Sequence, residues 1–247
     1  MERYLPNNLK KGEIKLSIIL VKNNKGGVGK SWITLQLAHG LQQVSEKKVL
    51  IVTSDNQNNI LEYSGKEKII TNSGLEKWIK TGTGDLIRLR ENLFFIPLKT
   101  SHLNLHSKDK LKELFEAFKQ EYAYILIDST PVVGIDKYFV DLADKVIVPG
   151  FADKVTINSI TSLLEGVEVR KVKSVIINKW TKTAKEREYY AGLKEVLEPF
   201  EILLTTPINQ SATIGRLIDE GKTVWESNSK NIRAIQESFV TVIEAIL

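Results

Sequence analysis

Residues 25–31 read Lys25-Gly26-Gly27-Val28-Gly29-Lys30-Ser31. The apolar run Ile18-Ile19-Leu20-Val21 comes just before them, and Leu35, Leu37, Ala38 and Leu41 follow with helical spacing. A strand, a glycine-rich loop and a helix start therefore stand in succession. That order builds a phosphate-binding site, because loop N–H groups converge on phosphate oxygens and the helix N-terminus adds partial positive charge. Glycine allows the close approach and the dihedrals such a loop needs. Lys30 is placed to reach the β- and γ-phosphates of a nucleotide, and the Ser31 hydroxyl to bind Mg²⁺. The general pattern G-x-x-x-x-G-K-[ST] asks for glycine where this chain has Asn24, a residue that tolerates left-handed geometry. Lys25 is a second lysine at the front of the loop, one more than a single phosphate cluster requires.

Working outward, strand and helix patterns alternate. Apolar runs at 14–21, 48–53, 93–98, 124–127, 145–149, 172–177 and 202–204 predict strands. Helices are predicted at 31–44, around Leu111, Leu114, Phe115 and Phe118, at 184–197, and through Ile232, Ile235, Phe239, Val242, Ile243 and Ile246. A short helix is expected around Leu75, Trp78 and Ile79 inside the polar stretch 65–84. Near-continuous apolar strands alternating with helices imply an α/β fold, a mostly parallel twisted sheet covered on both faces. No repeat or linker divides the chain, so 1–247 reads as one domain with a short tail at 1–13.

Composition narrows the function classes. The chain has 247 residues, 42% of them hydrophobic, and no cysteine. Disulfides, thiolate metal sites and cysteine nucleophiles are excluded. His39, His102 and His106 show no metal-ligand spacing. No apolar stretch is long enough to span a bilayer. The net charge is +5. Basic residues concentrate between 169 and 187, where Arg170, Lys171, Lys173, Lys179, Lys182, Lys185 and Arg187 face a single acid, Glu186.

Ligands bind such sheets at the carboxyl ends of the strands. Polar residues at those ends are Thr53-Ser54-Asp55-Asn56-Gln57, Asp128-Ser129-Thr130-Pro131 and Asn178-Lys179. An aspartate after a strand also caps turns, so position alone leaves its role open.

The loop at 25–31 resembles the deviant phosphate-binding loop of the ParA/MinD family of ATPases, K-G-G-x-G-K-[ST], and further matches extend over nearly the whole chain. The resemblance implies the three-layer P-loop fold and a slow, partner-stimulated ATP hydrolase using ATP and Mg²⁺. Lys25, Gly26, Gly27, Val28, Gly29, Lys30, Ser31 and Trp32 would hold the nucleotide, with Trp32 standing where relatives carry a second hydroxyl. Lys25 would cross to the nucleotide of the partner subunit in an ATP-dependent homodimer. Residues 53–57 resemble the first switch, D-x-D-P-Q. Asp55 falls on the aspartate that activates water, while Thr53 and Asn56 replace the other aspartate and the proline. Asp128 falls on the aspartate that serves Mg²⁺, and with Ser31 and Asp55 completes the implied metal set. Asn178 and Pro207 fall on the adenine pocket.

ParA-type members bind DNA without sequence preference and answer to a ParB-like centromere-binding protein. DNA contacts would come from Lys182, Lys185, Arg187, Arg216, Lys222, Lys230 and Arg233. The implied location is cytoplasmic and nucleoid-associated. Residues 239–247 carry no lysine or arginine, which argues against the polybasic membrane helix of MinD-type members. About a dozen residues precede the first strand, too few for the helix-turn-helix domain that some relatives carry. Two alternatives stay open: a cargo-positioning ATPase acting on membrane or another assembly, and an ATP-gated switch with negligible hydrolysis.

Overall fold

The computed structural model describes residues 16–100, 108–130, 135–166 and 168–247. Among these, the strands are β1 (Ser17–Val21), β2 (Val49–Thr53), β3 (Ile87–Arg90), β4 (Leu93–Ile96), β5 (Tyr124–Asp128), β6 (Lys145–Gly150), β7 (Val172–Ile177) and β8 (Leu203–Leu204). They form one sheet in the order β3-β4-β2-β5-β1-β6-β7-β8. Every pairing is parallel except β3 with β4. The helices are α1 (Lys30–Ser45), α2 (Asn59–Tyr63), α3 (Leu75–Thr81), α4 (Lys108–Glu121), α5 (Ile135–Leu142), α6 (Lys154–Gly166), α7 (Ala184–Leu197), α8 (Ala212–Asp219) and α9 (Lys230–Ile246). The α/β expectation holds, and the sheet carries one antiparallel edge strand.

The central strands β1, β2 and β5 are buried at every residue, which is why they read as unbroken apolar runs. Their alternate side chains feed two cores. Ile18 and Leu20 join α4, α6 and α7 on one face, while Ile19 and Val21 join α1, α8 and α9 on the other. The predicted tail at 1–13 lies outside the described residues, as do His102, His106 and Pro131.

A polar network that starts from the buried His39 and Thr223 holds the second half of α1. His39 Nδ1 lies 2.7 Å from Thr223 Oγ1, and that hydroxyl donates in turn to Glu226 Oε2. Nδ1 therefore donates, and Nε2 accepts from Gln43. Glu226 also takes both Arg90 Nε and Nη2, and the Arg90 fork donates onward to the carbonyls of Ser64 and Gly221. At that point Gly65 and Gly221 meet back to back. A Cβ on Gly221 would sit 2.3 Å from the Gly65 Cα.

Burial holds the His39 pKa down to about 4, from an ordinary 6.5. Between those values the unfolded chain binds a proton that the folded chain does not. The resulting stability is complete above pH 6.5 and is lost as pH falls toward 4. The gap is worth about 3 kcal/mol. We predict that His39→Gln flattens the pH dependence of thermal stability across this window. Parallel profiles for the two proteins would refute the assignment.

Candidate nucleotide-binding site

The loop at 25–31 leaves β1 and enters α1 as the sequence predicts. Gly27 and Gly29 take φ of 74° and 91°, left-handed values that exclude other residues at low cost. Asn24 is not among the described left-handed residues, so the loop makes its turn at these two glycines and not at position 24. Gly29 also sits against Asn178, whose Nδ2 would be 2.4 Å from a Cβ there.

A cavity of about 620 Å³ opens at this loop. Gly26, Gly27, Gly29, Lys30, Ser31 and Trp32 form its floor. Asp55 and Thr130 close one side, and Asn178, Gln210 and Ile214 stand on the other. Val28 is fully buried and faces away.

The carboxylate Asp128 ends β5 beneath the loop and is buried. Burial, and then the neighbouring Asp55 charge, push its pKa up to about 6, while the Ser31 hydroxyl, Lys30 and Thr53 pull the other way. Lys30 is also buried, and desolvation lowers its pKa against the attraction of Asp128 and Asp55. Its ammonium donates to the Lys25 carbonyl at 3.1 Å. A buried carboxylate hydrogen-bonded to a hydroxyl offers hard oxygen donors. That chemistry suits Mg²⁺, which takes a few protein oxygens and completes its shell with water and phosphate. Among the described residues no group of three or more His, Asp or Glu could hold a metal alone.

The two switch-like segments are joined. Thr53 Oγ1 accepts the Asp55 N–H at 3.0 Å and donates to the Asp128 carbonyl at 3.2 Å. Ser54 Oγ accepts the Thr130 N–H at 2.8 Å. The threonine that replaces a carboxylate thus ties both aspartates to one hydroxyl. Asn58, to which the sequence reading gave no role, ties the segment after β2 to Leu98. Its amide takes the Leu98 N–H and donates to the Leu98 carbonyl, at 2.8 and 2.7 Å. The signal was present as an asparagine able to hold a left-handed φ, here 50°.

The AAA domain family matches residues 16–180. The chain belongs to the ParA/MinD family of P-loop ATPases. The sporulation initiation inhibitor Soj of Bacillus subtilis is 30% identical over 62% of this chain and 65% of Soj. The septum site-determining protein MinD of Synechocystis is 25% identical over 89% of this chain and 82% of MinD. A plasmid partition protein of Borrelia burgdorferi, solved with AMPPNP, superposes with a TM-score of 0.75 at 23% identity, covering 94% of this chain and all of that one.

Of the two residues that the resemblance places at the base, Asn178 lines the cavity and Pro207 does not. The Asn178 amide donates to the Val28 carbonyl at 3.0 Å and accepts the Lys179 N–H at 2.9 Å. From the cavity wall it thus also braces the loop. Pro207 is half-buried and does not line the cavity; Asn209, Gln210 and Ser211 do. Trp32 lines the cavity and packs edge-on against Phe239 of α9, at 5.7 Å between centroids.

The seven DNA candidates are all exposed, yet they divide between layers. Lys182, Lys185 and Arg187 stand at the start of α7, which packs on one face of the sheet. Arg216, Lys222, Lys230 and Arg233 stand on or between α8 and α9, which pack on the other. Arg216 and Lys222 both pair with Glu220.

Proposed function

We propose that this chain is a ParA-type partition ATPase. ATP and Mg²⁺ occupy the cavity, and Lys25 crosses to the partner's nucleotide in a homodimer. The dimer holds DNA through its phosphates, and a ParB-like centromere-binding protein stimulates slow hydrolysis and release. The chemistry needs positioning and charge neutralisation above all. Lys30 and Mg²⁺ offset the phosphates, and Asp55 orients water.

The choice between DNA and membrane rests on α9. Its apolar residues Ile232, Ile235, Phe239, Val242, Ile243 and Ile246 are all buried in the core beside α1, which leaves no apolar face to lay on lipid. Among the described residues no helix is long and apolar enough to cross a membrane. The partition name of the Borrelia structure supports the same reading.

Phosphate contacts release counterions, so binding to random duplex should need ATP, fall steeply with salt and ignore sequence. Filter binding with Asp55→Ala protein, ATP and Mg²⁺ at low salt measures this. Neutralising Lys182, Lys185 and Arg187 together is expected to weaken binding about equally on all sequences and leave dimerisation intact. Absence of any duplex binding under these conditions would remove the chain from the partition class.

A further inference from the structure

The signature lysine is already occupied. Lys25 Nζ lies 2.5 Å from Asp153 Oδ2 and 4.8 Å from the centroid of the Phe151 ring. Its side chain does not line the nucleotide cavity, although the next two residues do. The backbone is turned the same way. Lys25 N–H donates to Asn23 Oδ1, and Asn23 is held in turn by the Pro149 carbonyl and by Ser159 Oγ of α6.

The receiving side is rigid. Asp153 accepts the Thr156 N–H through Oδ1 at 2.7 Å, which fixes its carboxylate at the start of α6 and leaves Oδ2 for the lysine. Thr156 Oγ1 accepts the Phe151 N–H at 3.1 Å, and Gly150 lets Thr156 come close, since a Cβ there would meet it at 2.3 Å. The 150–156 turn is thus wound around Thr156 and presents a carboxylate and an aromatic face to one ammonium. Lys179 Nζ stands near the same ring, at 5.8 Å.

We propose that Asp153, with Phe151, is a positioning residue that parks Lys25 on its own subunit and so sets the threshold for ATP-dependent dimerisation. The inference rests on the reading that Lys25 crosses to the partner's nucleotide. A lysine that crosses must first leave Asp153 and Phe151, and both subunits of a dimer must release one. The pair is partly exposed, at 22% and 38% of the side chains, so solvent screens it. Release costs about threefold per lysine, hence about tenfold in the dimer dissociation constant.

The test is sedimentation equilibrium with AMPPNP and Mg²⁺, which removes turnover from the readout. Asp153→Asn keeps an oxygen for the Thr156 N–H and loses the charge. It is expected to dimerise at about one-tenth the protein concentration of the wild type, with AMPPNP affinity of the monomer unchanged. Asp153→Glu restores the carboxylate and is expected to restore the threshold, which a merely structural role for Asp153 would not require. Phe151→Leu is expected to shift the threshold the same way by about twofold. Unchanged or weaker dimerisation of Asp153→Asn, with Lys25→Ala unable to dimerise, overturns the parking role alone. Normal dimerisation of Lys25→Ala overturns the cross-subunit reading beneath it.

Discussion

Lys30→Ala is expected to lower ATP affinity by about a hundredfold or more. The ammonium is the cation aimed into the cavity at the point where α1 begins, and a hydrogen bond to a charged group is worth about 1.5–3 kcal/mol. Two phosphate groups lose such a partner at once. The loss is compounded by the carboxylates. Asp128 and Asp55 both act on Lys30 through space, and without it they face the incoming phosphates with one cation fewer. Isothermal calorimetry with ATP and Mg²⁺ reads the effect directly. Affinity equal to wild type would show that the cavity at this loop is not the nucleotide site.

Lys25→Ala and Asp55→Ala are expected to fail in opposite ways. Lys25 lies outside the cavity of its own subunit, so its removal should leave ATP binding intact and abolish the ATP-dependent dimer. Asp55 lines the cavity, with its backbone N–H on Thr53 and its Oδ1 accepting the Gln57 N–H. Its removal should leave binding and dimerisation in place and cut turnover by about a hundredfold or more, as expected for loss of a water-orienting base. Size-exclusion chromatography and single-turnover hydrolysis separate the two. A Lys25→Ala protein that elutes as a dimer with ATP, or an Asp55→Ala protein that hydrolyses at the wild-type rate, would contradict the assigned roles.

The centre of the fold was legible because central strands and the loop helix write their burial into composition. The predicted helix at 184–197 coincides with α7, whose start is fixed by the Thr183–Glu186 capping box. The run at 48–53 begins one residue before β2. The edge strand β3 was not legible, whereas β8 at the other edge falls inside the predicted run at 202–204. β3 reads Ile87-Arg88-Leu89-Arg90, an alternation too short to stand out from the polar segment before it. α5 and α6 were not predicted either; α5 is only eight residues long, and both follow strand ends where turn chemistry dominates. In the site, Lys30 and Ser31 could be named from the loop motif, and Asp55 and Asp128 because a strand end carries their positions and the resemblance supplies their roles. The work of Asn58, Asp153 and Asn178 could not, because each acts on a backbone group 25 or more residues away, or on a side chain equally distant, which no local pattern encodes.

The back-to-back glycines at 65 and 221 have a mechanical meaning. The Gly65 Cα lies where a Gly221 side chain would begin, and Arg90 grips the carbonyls of Ser64 and Gly221 with one fork. The end of α2, ten residues past Asp55, is thereby riveted to the turn that carries Lys222. At this joint there is no side chain to compress and no gap to close. The joint makes the end of α2 and the turn between α8 and α9 one mechanical piece, so that neither can shift without carrying the other.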